Sequence, residues 1–151
     1  MDIYERNKTM LMTINGCEYD IKSGANLSGL NLSGVNFTGL DDLSGVNFSD
    51  TNLSYANLSH IKAHNACFES AILRGANLSG GNFAGSDFSF ADVSRSSMVG
   101  SFLPEAILTR TNLGGVDFSG SNMSYVTMSG AKLRGAKLRN TDLTGANLPE
   151  A

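Results

Sequence analysis

Tryptophan is absent from the 151-residue sequence, proline occurs only at Pro104 and Pro149, and cysteine only at Cys17 and Cys67. Two cysteines are too few for a disulfide framework, and neither belongs to a CxxC pair, so both read as reduced, small apolar side chains. Long hydrophobic runs are also missing. Met10-Leu11-Met12-Thr13-Ile14 falls far short of a bilayer span. The leader MDIYERNKTM carries charges of both signs and no apolar stretch of signal-peptide length. The chain is therefore expected to be soluble, with no membrane association. The formal net charge of −3 points neither to a nucleic-acid binder nor to a strongly acidic mimic.

Glycine is plentiful, at 17 residues, and it recurs with a period. From Ala25 the chain falls into units of five: ANLSG, LNLSG, VNFTG. One extra residue stands near Leu40-Asp41-Asp42-Leu43. The register then resumes at VNFSD and holds to ANLPE, giving 25 units over residues 25–150. Every unit has an apolar residue at its centre. A mostly small residue stands two positions earlier, Asn or Asp usually one earlier, Ser or Thr usually one later, and Gly often two later. The many Asn-x-Ser/Thr sequons, such as Asn26-Leu27-Ser28, are by-products of this pattern.

A period of five suits neither regular element. Five residues advance an α-helix by about 500°, which scatters the centres around all sides. In a strand, odd spacing sends successive centres to opposite faces. A chain that turns one corner per unit resolves the conflict. The centres and the small residues two before them then point inward. Asn and Asp favour the bends because their side chains hydrogen-bond nearby backbone, and Gly supplies conformational freedom at the corner.

The units Ala25-Asn26-Leu27, Ala56-Asn57-Leu58, Ala76-Asn77-Leu78, Ala91-Asp92-Val93 and Ala146-Asn147-Leu148 resemble the pentapeptide-repeat family, whose motif is written A(D/N)Lxx. The resemblance implies an all-β fold, a right-handed quadrilateral parallel β-helix with four units per coil and about six coils. It also implies action by presenting a surface, without catalysis, and a bacterial, cytoplasmic setting. With four units per coil the centres stack in columns. One reads Leu27, Phe48, Phe68, Phe88, Leu108, Met128, Leu148, with an aromatic core stack at Phe48, Phe68 and Phe88. Residues 1–24 are expected to form a segment with a capping β-hairpin, signalled by Asn15-Gly16 between β-prone runs, ahead of a solenoid over 25–151. The last coil lacks a comparable cover, so a homodimer through it is a further expectation.

Most apparent chemistry dissolves into the repeat. His60 and His64 are four apart but occupy different positions in adjacent units, so no metal site is expected. The many serines sit at the turn position, and no phosphate-cradling loop is present, so neither catalytic residues nor a cofactor is expected. The unit Ile61-Lys62-Ala63-His64-Asn65 is the least regular, and its small centre suggests thin packing, with a local bulge or binding spot. Charge is uneven: residues 1–105 balance to −5 and residues 106–151 to +2. The four-unit coil puts Arg74, Arg95, Lys132 and Arg134 on one side with Arg110 at its corner, Lys137 and Arg139 on the next, and Asp50, Glu69 and Asp87 on a neighbouring side. Ile72, Phe90, Phe102 and Ile107 should face outward, and Tyr55 and Tyr125 are further contact spots. The candidate partner surface thus comprises Arg74, Arg95, Arg110, Lys132, Arg134, Phe102, Ile107, Lys62 and His64.

Three functions fit: a scaffold binding a protein partner; a DNA mimic binding DNA gyrase or topoisomerase IV, as in the quinolone-resistance members of the family; and an effector delivered into host cells. The small net charge, the basic C-terminal side and the lack of a visible C-terminal helix weigh against mimicry. No direct nucleic-acid contact is expected in any of them.

Overall fold

The computed structural model describes residues 10–14, 16–40 and 42–151; the leader Met1–Thr9, Asn15 and Asp41 lie outside them. Strand β1 (Met10–Ile14) pairs antiparallel with β2 (Cys17–Ile21), in a register that sets Ile14 against Cys17 and Met10 against Ile21. Ile21 is fully buried, and Met12, Ile14 and Tyr19 pack on the core, so the hairpin is joined to the core by its apolar side chains.

The rest of the described chain is a four-sided parallel β-helix. Each side contributes a parallel bridge between residues one coil apart. The offset is 21 for Asn26↔Asn47, Asn31↔Asn52 and Asn36↔Asn57, and 20 from Asn47↔Cys67 onward. The change of offset places the inserted residue between Leu40 and Leu43 and establishes four units per coil. In the inner coils the residue before the centre typically donates its N–H back one coil and the centre donates forward. Cys67 N–H reaches the Val46 carbonyl at 2.9 Å and Phe68 N–H the Asp87 carbonyl at 2.7 Å.

The corners are alike. The residue two after each centre has positive φ at all 25 corners, glycine at 13 of them and a non-glycine residue at 12. Within a corner the N–H three after the centre donates to the centre's carbonyl, as Ala56 does to Leu53 at 3.0 Å. A left-handed residue in third position is what a type II turn demands. The Asn or Asp before the centre braces the bend: its Oδ1 accepts the N–H two residues on, as Asn52 does from Ser54 at 3.0 Å and Asp87 from Ser89 at 2.8 Å. These are Asx turns, and they explain the residue choice at that position.

The centres fill the interior. From Leu27 to Met128 every one is at most 1% exposed. Phe48 and Phe68 stack with centroids 5.3 Å apart, and Phe68 and Phe88 at 4.5 Å with planes 3° apart; Phe37 and Phe83 add edge contacts. The irregular unit at 61–65 does not bulge. Lys62 bridges Asn82 and Ala63 N–H reaches the Asn82 carbonyl at 2.8 Å. The unit's corner is tied to the next coil by buried Ser86, whose Oγ donates to the Ala63 carbonyl at 2.8 Å and accepts from Ala66 N–H at 3.1 Å, as Thr51, Thr111 and Thr141 tie the corners of Leu27, Phe88 and Phe118. Towards the last coil the burial fades, and Leu138 and Leu148 are 37% and 39% exposed.

Candidate functional site

Label the sides A to D by their first centres, Leu27, Leu32, Phe37 and Leu43. Side B shows outward the column Asn31, Asn52, Ile72, Asp92, Asn112, Lys132, bridged coil to coil. Its two corners carry the charged residues. On the far corner stand Arg74, Arg95 and Arg134; on the near one, shared with side A, Asp50, Phe90 and Arg110. Arg95, Lys132 and Arg134 line one open hollow with Ser94, Asn112, Gly114, Gly115 and Gly135. Arg74 and Arg95 line an adjoining one with Tyr55, Gly75 and Ser94. The floor is glycine because Gly114 stands where most units have Ser or Thr, and because Gly115 and Gly135 turn successive corners at φ 71° and 72°.

The cations differ in their partners. Arg74 Nε pairs with Asp92 Oδ2 at 2.6 Å, and Lys137, on side C, pairs with Asp117 at 3.2 Å. Among the described residues Arg95, Arg110, Lys132 and Arg134 make no ion pair. Arg110 instead lies over the exposed Phe90 ring, its guanidinium carbon 5.9 Å from the centroid, a cation–π geometry. Burial pushes the Asp92 carboxyl up, but hydrogen bonds from Ser94 and Arg74 outweigh it and hold the group below the usual carboxylate range. Asp117 is held at about 2, chiefly by the hydroxyl and N–H of Ser119 and then by Lys137.

The remaining sequence candidates lie apart from this side. Phe102 and Lys62 share the outward column of side D, with His64 beside it, and Ile107 faces out from side A. All four are exposed. His64 Nδ1 lies 2.6 Å from Ser44 Oγ, and Ser44 N–H donates to Asp42 Oδ1 at 2.7 Å. Hydrogen bonds from Ser44 lower the Asp42 carboxyl, with smaller contributions from His64 and Lys62. In a nucleophilic triad the carboxylate orients the histidine. Here both groups bond the serine, so the trio ties two coils together next to the insertion. Among the described residues no group of three or more His, Cys, Asp or Glu has metal-ligand geometry, both cysteines are free thiols, and no helix is long and apolar enough to cross a membrane.

Sequence reasoning left two features unseen. One is the glycine floor between Arg95 and Arg134, which exists only once residues 20 apart are stacked. The other is the packing of corner side chains over the glycine of the next coil. Tyr55 covers Gly75, His60 covers Gly80, and Tyr125 covers Gly145. The signal for both is a large corner residue followed, 20 residues on, by glycine.

Fold and repeat together define a β-helical repeat protein. The model for pentapeptide repeats matches eight copies, over residues 23–41, 42–80, 86–124 and 128–151. The chain belongs to the pentapeptide repeat family, whose members form right-handed quadrilateral β-helices. Among solved structures it is similar to a pentapeptide repeat protein of the Arabidopsis thaliana thylakoid lumen, with 33% identity and a TM-score of 0.53, over 66% of this chain and 65% of that one. The match thus spans just under two thirds of that relative's length. HetL, a pentapeptide repeat protein involved in heterocyst differentiation regulation in the cyanobacterium Nostoc, is 26% identical over 83% of this chain and 86% of its own, with a TM-score of 0.37. QnrB1, a plasmid-mediated fluoroquinolone resistance protein, is 19% identical over 83% of this chain and 84% of its own, at a TM-score of 0.34. No curated protein matches the sequence.

Proposed function

We propose that this chain is a non-catalytic interaction scaffold that offers side B of its solenoid to a protein partner. One observation carries the reading. Phe90, Arg95 and Arg110 hold corners at φ 54–60°, where glycine serves at many other corners, and all three side chains are exposed. A left-handed residue with a side chain costs about 1–2 kcal/mol relative to a relaxed one, and Phe90, with half its surface exposed, returns only part of that through burial. Residues kept at a cost to the fold mark surfaces used for something else. The interior, filled by stacked centres, supplies rigidity.

Affinity capture with the wild-type chain, set beside a chain reversed in charge at side B (Arg95→Glu, Arg134→Glu), tests the reading. A partner held by the first and lost by the second supports it, whereas equal recovery on both moves the interface elsewhere. A type II topoisomerase is the second reading, favoured by Asp50, Glu69 and Asp87 following one another along side A. A gyrase supercoiling assay decides it, and neither inhibition nor protection from a quinolone ends it. The last coil, with Leu138 and Leu148 more than a third exposed, is where a second copy would pair. Sedimentation showing a monomer at all concentrations would remove that element.

A further inference from the structure

We infer that side B seats an extended, carboxylate-rich segment of the partner, gripped between Arg95 and Arg134 over the glycine floor. The inference rests on the scaffold reading and adds the chemistry of what is bound. Four cations gather on this side with no acidic partner among the described residues, while Arg74 and Lys137 are each neutralised by an aspartate. Like charges held together raise one another's energy, and an incoming anion relieves it.

The hollow has the right construction for a chain. Gly114, Gly115 and Gly135 keep side-chain atoms off its floor. The N–H groups of two of them are already engaged: Gly114 N–H donates to Asn112 Oδ1 at 3.2 Å and Gly115 N–H to the Arg134 carbonyl at 3.0 Å. The free donors are therefore the side chains of Arg95, Lys132 and Arg134, with the Gly135 N–H beneath them. Arginine's planar fork suits a carboxylate, which it holds by two parallel hydrogen bonds.

Dimensions agree. Arg95 and Arg134 lie two coils apart, about 10 Å at the usual strand spacing of ~4.8 Å. An extended peptide advances about 3.3–3.6 Å per residue, so three or four residues bridge the two guanidiniums. Phe90, 52% exposed at the opposite corner beneath Arg110, gives the segment an apolar anchor. A longer polyanion fits poorly. Asp92 sits on the same side, and Asp50, Glu69 and Asp87 occupy side A next to it, whereas a nucleic-acid backbone needs a continuous basic track.

The test uses the full chain, isotope-labelled, with amide shifts followed by NMR. The probes are a hexaglutamate peptide, a hexaserine peptide, a twelve-base oligothymidylate and inorganic phosphate. The variant is Arg95→Gly with Arg134→Ser, which installs residues that other coils carry at these positions and relaxes one corner, so it folds. Hexaglutamate should shift the amides of Arg95, Gly114, Gly115, Arg134 and Gly135, weaken about tenfold in the variant, and weaken further with added salt. Hexaserine should shift none of them. Shifts elsewhere, or affinity unchanged in the variant, would overturn the inference. So would tighter binding of oligothymidylate or phosphate, which would make the patch a general anion site. A cellular partner recovered equally by wild type and variant would also end this inference while leaving the scaffold reading standing.

Discussion

Replacing Phe68 with alanine removes the middle of the aromatic stack. The ring is fully buried, lies parallel to Phe88 at 4.5 Å and near-parallel to Phe48 at 5.3 Å, and meets Phe83 edge-on at 6.0 Å. A buried aromatic hides roughly 150–250 Å², worth about 4–6 kcal/mol at ~25 cal/mol per Å². The alanine methyl retains part of that, and the neighbours, held by coil-to-coil hydrogen bonds, have little room to collapse. Phe→Ala in a core commonly costs about 3–5 kcal/mol, and the loss of two stacked contacts puts this site in the upper half. For a chain of this size the midpoint should fall by about 6–20 °C. The assay is urea and thermal unfolding by far-UV circular dichroism, with Leu138→Ala in the open last coil as control. Leu138 is 37% exposed, so its truncation should cost under ~2 kcal/mol, below the range for buried leucine. A Phe68→Ala protein within 1 kcal/mol of wild type, or a control that loses as much, would refute the stacked-column account of stability.

Two smaller perturbations probe the corners and the charges. Alanine at Gly80 and at Gly100 places the same strain on φ, +66° and +63°, but a Cβ at Gly80 runs into the His60 ring while one at Gly100 meets nothing within 4 Å. Both should lose about 1 kcal/mol to the backbone, with Gly80→Ala losing more, and equal melts would show that His60 swings clear. Asp42, Asp92, Asp117 and Asp142 all titrate below their ordinary range when folded, Asp117 at about 2. Depressed acids contribute stability above the unfolded pKa of about 3.9 and lose it as pH falls through the folded value, so stability should drop between about pH 4 and pH 2. Asp117→Asn keeps the Asx turn without the charge and should flatten that drop, and a profile identical to wild type would assign the acid sensitivity elsewhere.

The columns of the solenoid are legible in the sequence because a fixed period carries its own geometry. Once four units make a coil, Phe48, Phe68 and Phe88 must lie above one another, and Arg95 and Arg134 must share a side. The uniform corners are harder to read. Glycine marks only about half of them, and residues such as Tyr55, Phe90 and Glu105 would not on their own announce a left-handed φ. They adopt it because coil-to-coil hydrogen bonds on both flanks of the turn fix the path. The fate of the weak unit at 61–65 was hidden for a similar reason. Its corner is held by hydrogen bonds to Ser86 of the next coil, and small polar residues at inward positions look like noise until the stacking is known. The pairing of Arg74 with Asp92 depends likewise on a neighbour 18 residues on.

The insertion between Leu40 and Leu43 changes the coil-to-coil offset from 21 to 20 and leaves the bridges on either side intact. The extra residue stands on the run of side D between Leu40 and the centre Leu43, after the corner that Gly39 turns at φ 85°, so chain length varies there while the ladder on the other sides keeps its register. The cost of closing a loop there grows only slowly with its length, about 0.6 kcal/mol per doubling. This point on side D, opposite side B, is accordingly a grafting port. A recognition loop, an epitope or a fluorophore-bearing peptide installed at that point would be held on a rigid shaft, at a known angular position relative to side B.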